Sequence, residues 1–235
     1  NEMYIELLRI IEGKKPKYFI AENVPGICSL GGYESADDKK KGEGKIMKNI
    51  LKEMRECGYR VIWKKLNARD YGVPQSRQRV IFLGTRNDLK KNLEHPIATH
   101  SKTGQPSLTN TNMEKWKTLK DAIYDLPDPH SEHKFQMHVH NNHKVKINNY
   151  VGNRKLDWDK ASPTVTGRGG GTGGPVIMPH PNLKRRMTVR EYARIQEFPD
   201  DFHFVGSISS CFRQIGNAVP WRLAYNIGLK LKEIE

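Results

Sequence analysis

Along this chain, apolar residues recur at a near-helical spacing in some stretches and gather in short blocks in others, and that alternation predicts most of the architecture. Met3, Ile5, Leu7, Leu8 and Ile11 form one stripe that stops at Gly13, so the opening residues read as a helix. A start inside a helix, with no leading methionine, implies that an upstream piece of the same unit is missing. Residues 17 to 22 are a short apolar run ending in Glu22, ahead of the breaker pair Pro25-Gly26, and predict a buried strand feeding a loop. Glu22 then stands at the carboxyl end of a strand, where open α/β sheets bind ligands. Leu30 to Gly44, rich in glycine and charge, predicts a mobile surface loop. Ile46, Ile50, Leu51 and Met54 line one face of a helix over Lys45 to Cys57, with Gly58 as its stop. Residues 59 to 66 and 79 to 85 read as two further strands. Strand, helix, strand, strand is the order of the trailing half of an α/β sheet.

From Asn87 to about Arg186 proline, asparagine, histidine and glycine dominate, with one short helical stretch near Trp116 to Tyr124, which predicts a loop-rich insertion or small second domain. Regular structure returns at Thr188-Val189-Arg190-Glu191, a capping box flanked by the staple pair Met187 and Tyr192, so a helix starts near residue 189 and ends before Pro199. A last helix starts near Pro220 and carries Leu223, Ile227, Leu231 and Ile234 on one face.

Composition narrows the function classes. Lysine and arginine number 40 against 26 acids, a formal charge of +14, which favours polyanionic partners and nucleic acid above all. No apolar run approaches the roughly 20 residues of a spanning helix, and the first residues lack the pattern of a signal peptide. The 3 cysteines, Cys28, Cys57 and Cys211, are far apart and suit a reducing cytosol.

Four strings then change the picture: Glu22-Asn23-Val24; Gln75-Ser76-Arg77-Gln78-Arg79; Arg190-Glu191 with Arg194-Ile195-Gln196-Glu197-Phe198-Pro199; and Gln214-Ile215-Gly216-Asn217-Ala218-Val219-Pro220. In this order and approximate spacing they resemble the cytosine-C5 DNA methyltransferase family. The resemblance covers nearly the whole chain, including Asn67 to Pro74 on the approach to the Gln-x-Arg-x-Arg string. It implies an α/β fold, the trailing half of an S-adenosylmethionine-dependent, Rossmann-like methyltransferase sheet. It also implies a partial catalytic domain over residues 1 to 86 and 188 to 235, and a small loop-rich target-recognition domain over 87 to 187.

The chemistry of the residues agrees. An enzyme acting on a base within a duplex must extrude it and hold its Watson–Crick edge. Glu22, once protonated, can donate to cytosine N3 and accept from the exocyclic amine, activating C6 and discriminating against thymine. Protonation requires burial or a bound base to raise a carboxyl pKa from roughly 4.3. The resemblance implies that Arg79 reaches the cytosine O2 and that Arg77 stabilises the pocket and Glu22. A strand-end glutamate paired with surface arginines is the plainer alternative for any one string taken alone.

The family's nucleophilic cysteine, in Pro-Cys-Gln, and its Phe-x-Gly-x-Gly cofactor loop both lie upstream of Glu-Asn-Val, and neither is in this chain. None of the three cysteines has the proline before and glutamine after, so the chain is expected to be a fragment, inactive alone. Asn217 matches the family's last motif, which helps line the S-adenosylmethionine site; a helix-start cap before Pro220 is the alternative reading. Ser162-Pro163-Thr164-Val165-Thr166-Gly167 resembles the recognition segment that meets the DNA backbone, with valine where the family has leucine. Thr164, Arg168, Gly169 and Gly170 are the expected DNA contacts, because exposed amides beside an arginine suit phosphate. The glycine tract is followed by Pro175 rather than a helix, so it is no dinucleotide fingerprint. Five histidines between His130 and His143 meet no recognised zinc spacing and are assigned to a polar DNA-facing surface, and no metal is expected.

The resemblance therefore implies sequence-specific methylation of cytosine C5 in double-stranded DNA with an extruded cytosine, as the modification arm of a bacterial restriction-modification system, in the cytoplasm at the nucleoid. The alternatives are a non-catalytic DNA-binding subunit whose partner chain carries the cysteine and cofactor loop, and a tRNA cytosine methyltransferase of the same fold.

Overall fold

The structure is a computed structural model and describes residues 3–107, 110–139, 147, 154–167, 178–183 and 185–234. Contacts divide the chain into two compact units, residues 1–67, 78–96 and 226–235, and residues 68–77 and 97–225.

The first unit opens with α1 (Met3–Lys14) and continues through β1 (Tyr18–Asn23), α2 (Ala36–Lys41), α3 (Lys45–Glu56), β2 (Tyr59–Asn67) and β3 (Gln78–Arg86). The strands form one sheet in the order β1-β3-β2, antiparallel throughout. One face of it, with Phe19, Tyr59, Val61, Val80 and Phe82, packs on Ile11 of α1 and on Met47, Ile50, Leu51 and Met54 of α3. The second half of β3 requires a glycine, because the Phe19 ring lies where a side chain at Gly84 would go, 2.0 Å from the Cβ position. β1 is a half-buried edge strand with Ile20 and Glu22 exposed, not the buried strand its apolar run predicts.

The stretch Leu30 to Gly44 is more ordered than a mobile loop. Ser35 accepts from the Asp38 amide to start α2, and Gly42 ends it in the left-handed region at φ 72°. No periodicity revealed this helix, since Ala-Asp-Asp-Lys-Lys-Lys has no apolar stripe and only its ends define it. The following helix has no side-chain cap. The Gly44, Lys45 and Ile46 amides instead donate to the carbonyls of Cys28, Gly32 and Leu30 at 2.9, 3.0 and 3.3 Å. These bonds satisfy donors that a helix start leaves free.

The second unit holds a two-stranded parallel ladder, β4 (His100–Ser101) and β5 (Glu114–Lys115), followed by α4 (Leu119–Ile123), α5 (Val189–Ile195), α6 (Ile208–Asn217) and the start of α7 (Trp221–Lys232). Its core joins Leu119 and Ile123 of α4 to Tyr192 and Ile195 of α5, Phe212 and Ile215 of α6, and Val165 from the segment before α5. Tyr192 and Phe212 meet edge to face at 4.8 Å. The Thr188–Glu191 capping box is formed in both directions. The Phe198 amide returns to the Ala193 carbonyl at 2.9 Å and Glu197 takes φ 63°, which ends α5 ahead of Pro199. Sequence pattern did not reveal α6, capped by Ser207, within its serine-rich surroundings. Residues 188–225 pack with this unit, although the sequence division groups them with the sheet.

Candidate active-site and DNA-facing residues

Antiparallel pairing brings the end of β1 beside the start of β3. Glu22 is registered against Ile81, and Arg79, two residues earlier on β3, projects from the same face. The Arg79 Nε therefore forms an ion pair with Glu22 Oε1, while Arg79 Nη1 donates to the Gln78 carbonyl at 2.8 Å. The arginine side chain is 11% exposed and the glutamate 32%, so the guanidinium is anchored and the carboxylate is open to an approaching group. Just beyond, the Asn23 side chain accepts from the Val24 amide at 2.8 Å as the chain leaves the strand toward Pro25.

In the second unit, residues 74–77 and 162–167 run side by side. Gln75 and Ser162 form a parallel bridge; the Ser162 amide donates to Pro74 at 2.9 Å and the Ser76 amide to Ser162 at 2.7 Å. Arg77, 2% exposed, donates through Nη1 to the Val165 carbonyl and through Nη2 to the Gly216 carbonyl, both at 2.8 Å. The Gln75 Nε2 donates to Gln196 Oε1 at 2.7 Å, and Gln75 Oε1 accepts from the Val165 amide at 2.9 Å. Gln75 and Gln196 both stand in the motif strings, yet the sequence assigns neither a role. Nothing in the local pattern tells a buried glutamine from a surface one.

The expected site residues thus fall into two groups. Glu22 and Arg79 meet in the first unit, and Arg77, Thr164 and Asn217 belong to the second. The Thr164 hydroxyl donates to the Ser76 carbonyl at 2.8 Å. Asn217 is exposed at the last turn of α6, so it is not a cap at the start of α7, which opens at Trp221. Arg168, Gly169 and Gly170 lie outside the described residues, as do His140 and His143. His138 corrects the expectation of a DNA-facing histidine surface. It is fully buried, with Nε2 2.8 Å from the Pro127 carbonyl and Nδ1 2.8 Å from the Thr188 hydroxyl, and burial pushes its pKa down. Burial likewise pushes up the thiol pKa of Cys28, Cys57 and Cys211. Among the described residues no group of three or more His, Cys, Asp or Glu could hold a metal ion, and no helix is long and apolar enough to cross a membrane.

The sequence model of the C-5 cytosine-specific DNA methylase family matches residues 1–233, and the chain belongs to that family. Among its relatives is the type II methyltransferase M.FnuDI of Fusobacterium nucleatum, 34% identical over 266 residues that cover 99% of this chain and 69% of that protein. M.BsuRI of Bacillus subtilis is 33% identical over 95% of this chain and 51% of its own length. The chain spans about half to seven-tenths of the curated relatives it matches. The fold is that of a DNA modification methyltransferase encoded within an E. coli prophage (TM-score 0.66, 23% identity, 99% of this chain and 74% of the other). It is shared by the S. pombe Dnmt2 methyltransferase (TM-score 0.58, 20% identity, 97% and 70%).

Proposed function

We propose that this chain supplies the base-binding carboxylate and the DNA-facing segment of an enzyme that methylates cytosine C5 at specific sequences in double-stranded DNA, as the modification arm of a type II restriction-modification system. The observation that carries this reading is the ion pair of Glu22 and Arg79 at adjacent strand ends, in a member of the C-5 cytosine methylase family. A cytosine edge presents N3 as acceptor and the exocyclic amine as donor. Glu22 matches both once a bound base displaces its ion pair and it takes up a proton, and Arg79, already held by the Gln78 carbonyl, can then turn its freed donors to the cytosine O2. Protonating N3 through Glu22 draws electrons from the ring and prepares C6 for a nucleophile. Arg77 acts from the interior by fixing the Val165 and Gly216 carbonyls.

Residues 87–187 are read as the target-recognition region, with the duplex backbone meeting the segment from Thr164 to Gly170. S-adenosylmethionine, when bound, supplies the methyl group from its sulfonium. Asn217 fits a place on the rim of such a site, because its amide is exposed and can both donate and accept. The attacking thiolate is assigned to a cysteine outside these residues: attack requires a low thiol pKa, and burial raises that of all three cysteines here. The 235 residues alone are then catalytically silent, and a subunit that binds DNA for a catalytic partner chain is the second reading. A cytoplasmic protein at the nucleoid follows from such a substrate.

The experiment is Glu22→Ala in the complete enzyme. Turnover should fall by about two orders of magnitude or more while DNA affinity stays within a fewfold. Loss of binding with unchanged single-turnover rate would remove Glu22 from the chemistry, and methylation of tRNA rather than duplex DNA would replace the substrate.

A further inference from the structure

We propose that Gln75 is a positioning residue for target recognition, and that its directional amide pair with Gln196 fixes residues 164–167, the stretch that precedes the glycine tract in sequence. The inference rests on the DNA-facing reading of that segment given above.

Gln75 is 0% exposed and Gln196 2%, although they are 121 residues apart in the chain. Backbone groups dictate the orientation of both amides. At one end the Gln196 Nε2 faces two acceptors, the Ile215 carbonyl at 2.7 Å and the Ala218 carbonyl at 3.1 Å, so that end must be the NH2 group. Its oxygen therefore faces Gln75, which must answer with its own NH2. The Gln75 oxygen is left for the Val165 amide, a group that can only donate. Turning either amide over would set donor against donor or acceptor against acceptor in a buried place, where an unmet polar group costs about 1–3 kcal/mol.

Val165 is gripped on both sides by this arrangement. Its N–H is held by Gln75 and its C=O by Arg77, alternate residues of one short stretch, and its side chain is fully buried. The neighbouring Thr164 hydroxyl gives its proton to the Ser76 carbonyl. Thr164 is thereby an anchor of the same segment, and its hydroxyl hydrogen is committed inward rather than to a phosphate. Gly167 follows, with Gly216 closed against its backbone. Hydrogen bonds of fixed direction, rather than apolar contact that tolerates sliding, hold Thr164 and Val165 in place.

The test is Gln75→Met in the full-length enzyme, a substitution close in volume that deletes both amide functions. Hydrogen exchange in the peptide spanning residues 161–167 should quicken roughly 5- to 100-fold, the effect of losing one buried hydrogen bond at Val165. The KM for DNA should rise about tenfold or more with kcat within about twofold. Loss of these buried bonds lowers the melting temperature on either reading; a merely structural role would lower kcat and leave KM alone, and that result, or unchanged exchange, overturns the proposal. Should Gln75→Met fail to fold, Thr164→Val removes one bond of the same anchor; exchange of the same peptide must again accelerate, and its failure to do so counts against the inference. A wild-type enzyme that transfers no methyl group to cytosine would defeat the proposed function, whereas the exchange measurement reports on the anchor by itself.

Discussion

Gly216 of α6 and Gly167 meet backbone to backbone: a Cβ at Gly216 would lie 2.1 Å from the Gly167 nitrogen and 2.2 Å from the Thr166 carbonyl carbon. No side chain can swing aside there, because the obstructing atoms are main chain. Gly216→Ala is therefore expected to destabilise the protein by about 3 kcal/mol, at the upper end for overpacking, with the melting temperature as the measurement. A loss below about 1 kcal/mol would mean that the two segments separate without cost.

Lys15 offers the opposite case. It closes α1 with φ 44° while its side chain is exposed, so the lysine pays for the left-handed conformation without any compensating contact of its side chain. Lys15→Gly should raise stability by about 0.5–1 kcal/mol, the left-handed penalty less the extra entropy of glycine. Urea unfolding would show this as a higher midpoint at constant slope.

Stability should decline on mild acidification. Burial, aided by the nearby charge of Lys64, pushes the His95 pKa down from 6.5 to about 4, and neither ring nitrogen has a hydrogen-bond partner among the described residues. Above pH 6.5 the ring is neutral whether the chain is folded or unfolded. Between 6.5 and about 4 the unfolded chain takes up a proton that the folded one refuses, so stability falls with pH; below about 4 this contribution levels off. His100, His138 and His180 are also pushed down, chiefly by burial, and add in the same direction. His95→Phe should flatten part of the slope, on the order of 1–2 kcal/mol after solvent screening. An unchanged difference in stability between pH 7 and pH 5 would show that His95 does not contribute.

Arg79→Lys in the complete enzyme keeps the charge beside Glu22 and removes the planar fork. Turnover should fall at least tenfold with stability nearly unchanged; full activity would mean that the charge alone is used.

Labelled S-adenosylmethionine incubated with these 235 residues and DNA should yield no labelled cytosine. Robust transfer would require one of the three thiols to act as nucleophile despite its raised pKa, and would overturn the reading of the cysteines.

Much of the fold was legible in the pattern of residues. The stripe Ile50, Leu51, Met54 marks α3, and Thr188 with Glu191 marks the start of α5, because helix periodicity and capping are encoded by neighbours within a turn or two. The α2 segment escaped because it has no apolar face to read, and α6 because its apolar positions lie among serines and glycines. His138, expected on a polar DNA-facing surface, is inside because Pro127 and Thr188 satisfy both ring nitrogens.

By itself, the sequence determined the family, through four ordered strings, and offered Glu22, Arg79 and Arg77 as candidate site residues. Tertiary structure alone decided that Glu22 meets Arg79 through antiparallel register, that Gln75 reaches Gln196 across 121 residues, and that Gly216 closes on Gly167. The reason is physical. Local periodicity is set by covalent neighbours, whereas the partner of a buried polar group is set by whatever packing brings within about 3 Å of it, and a linear pattern carries no record of that distance.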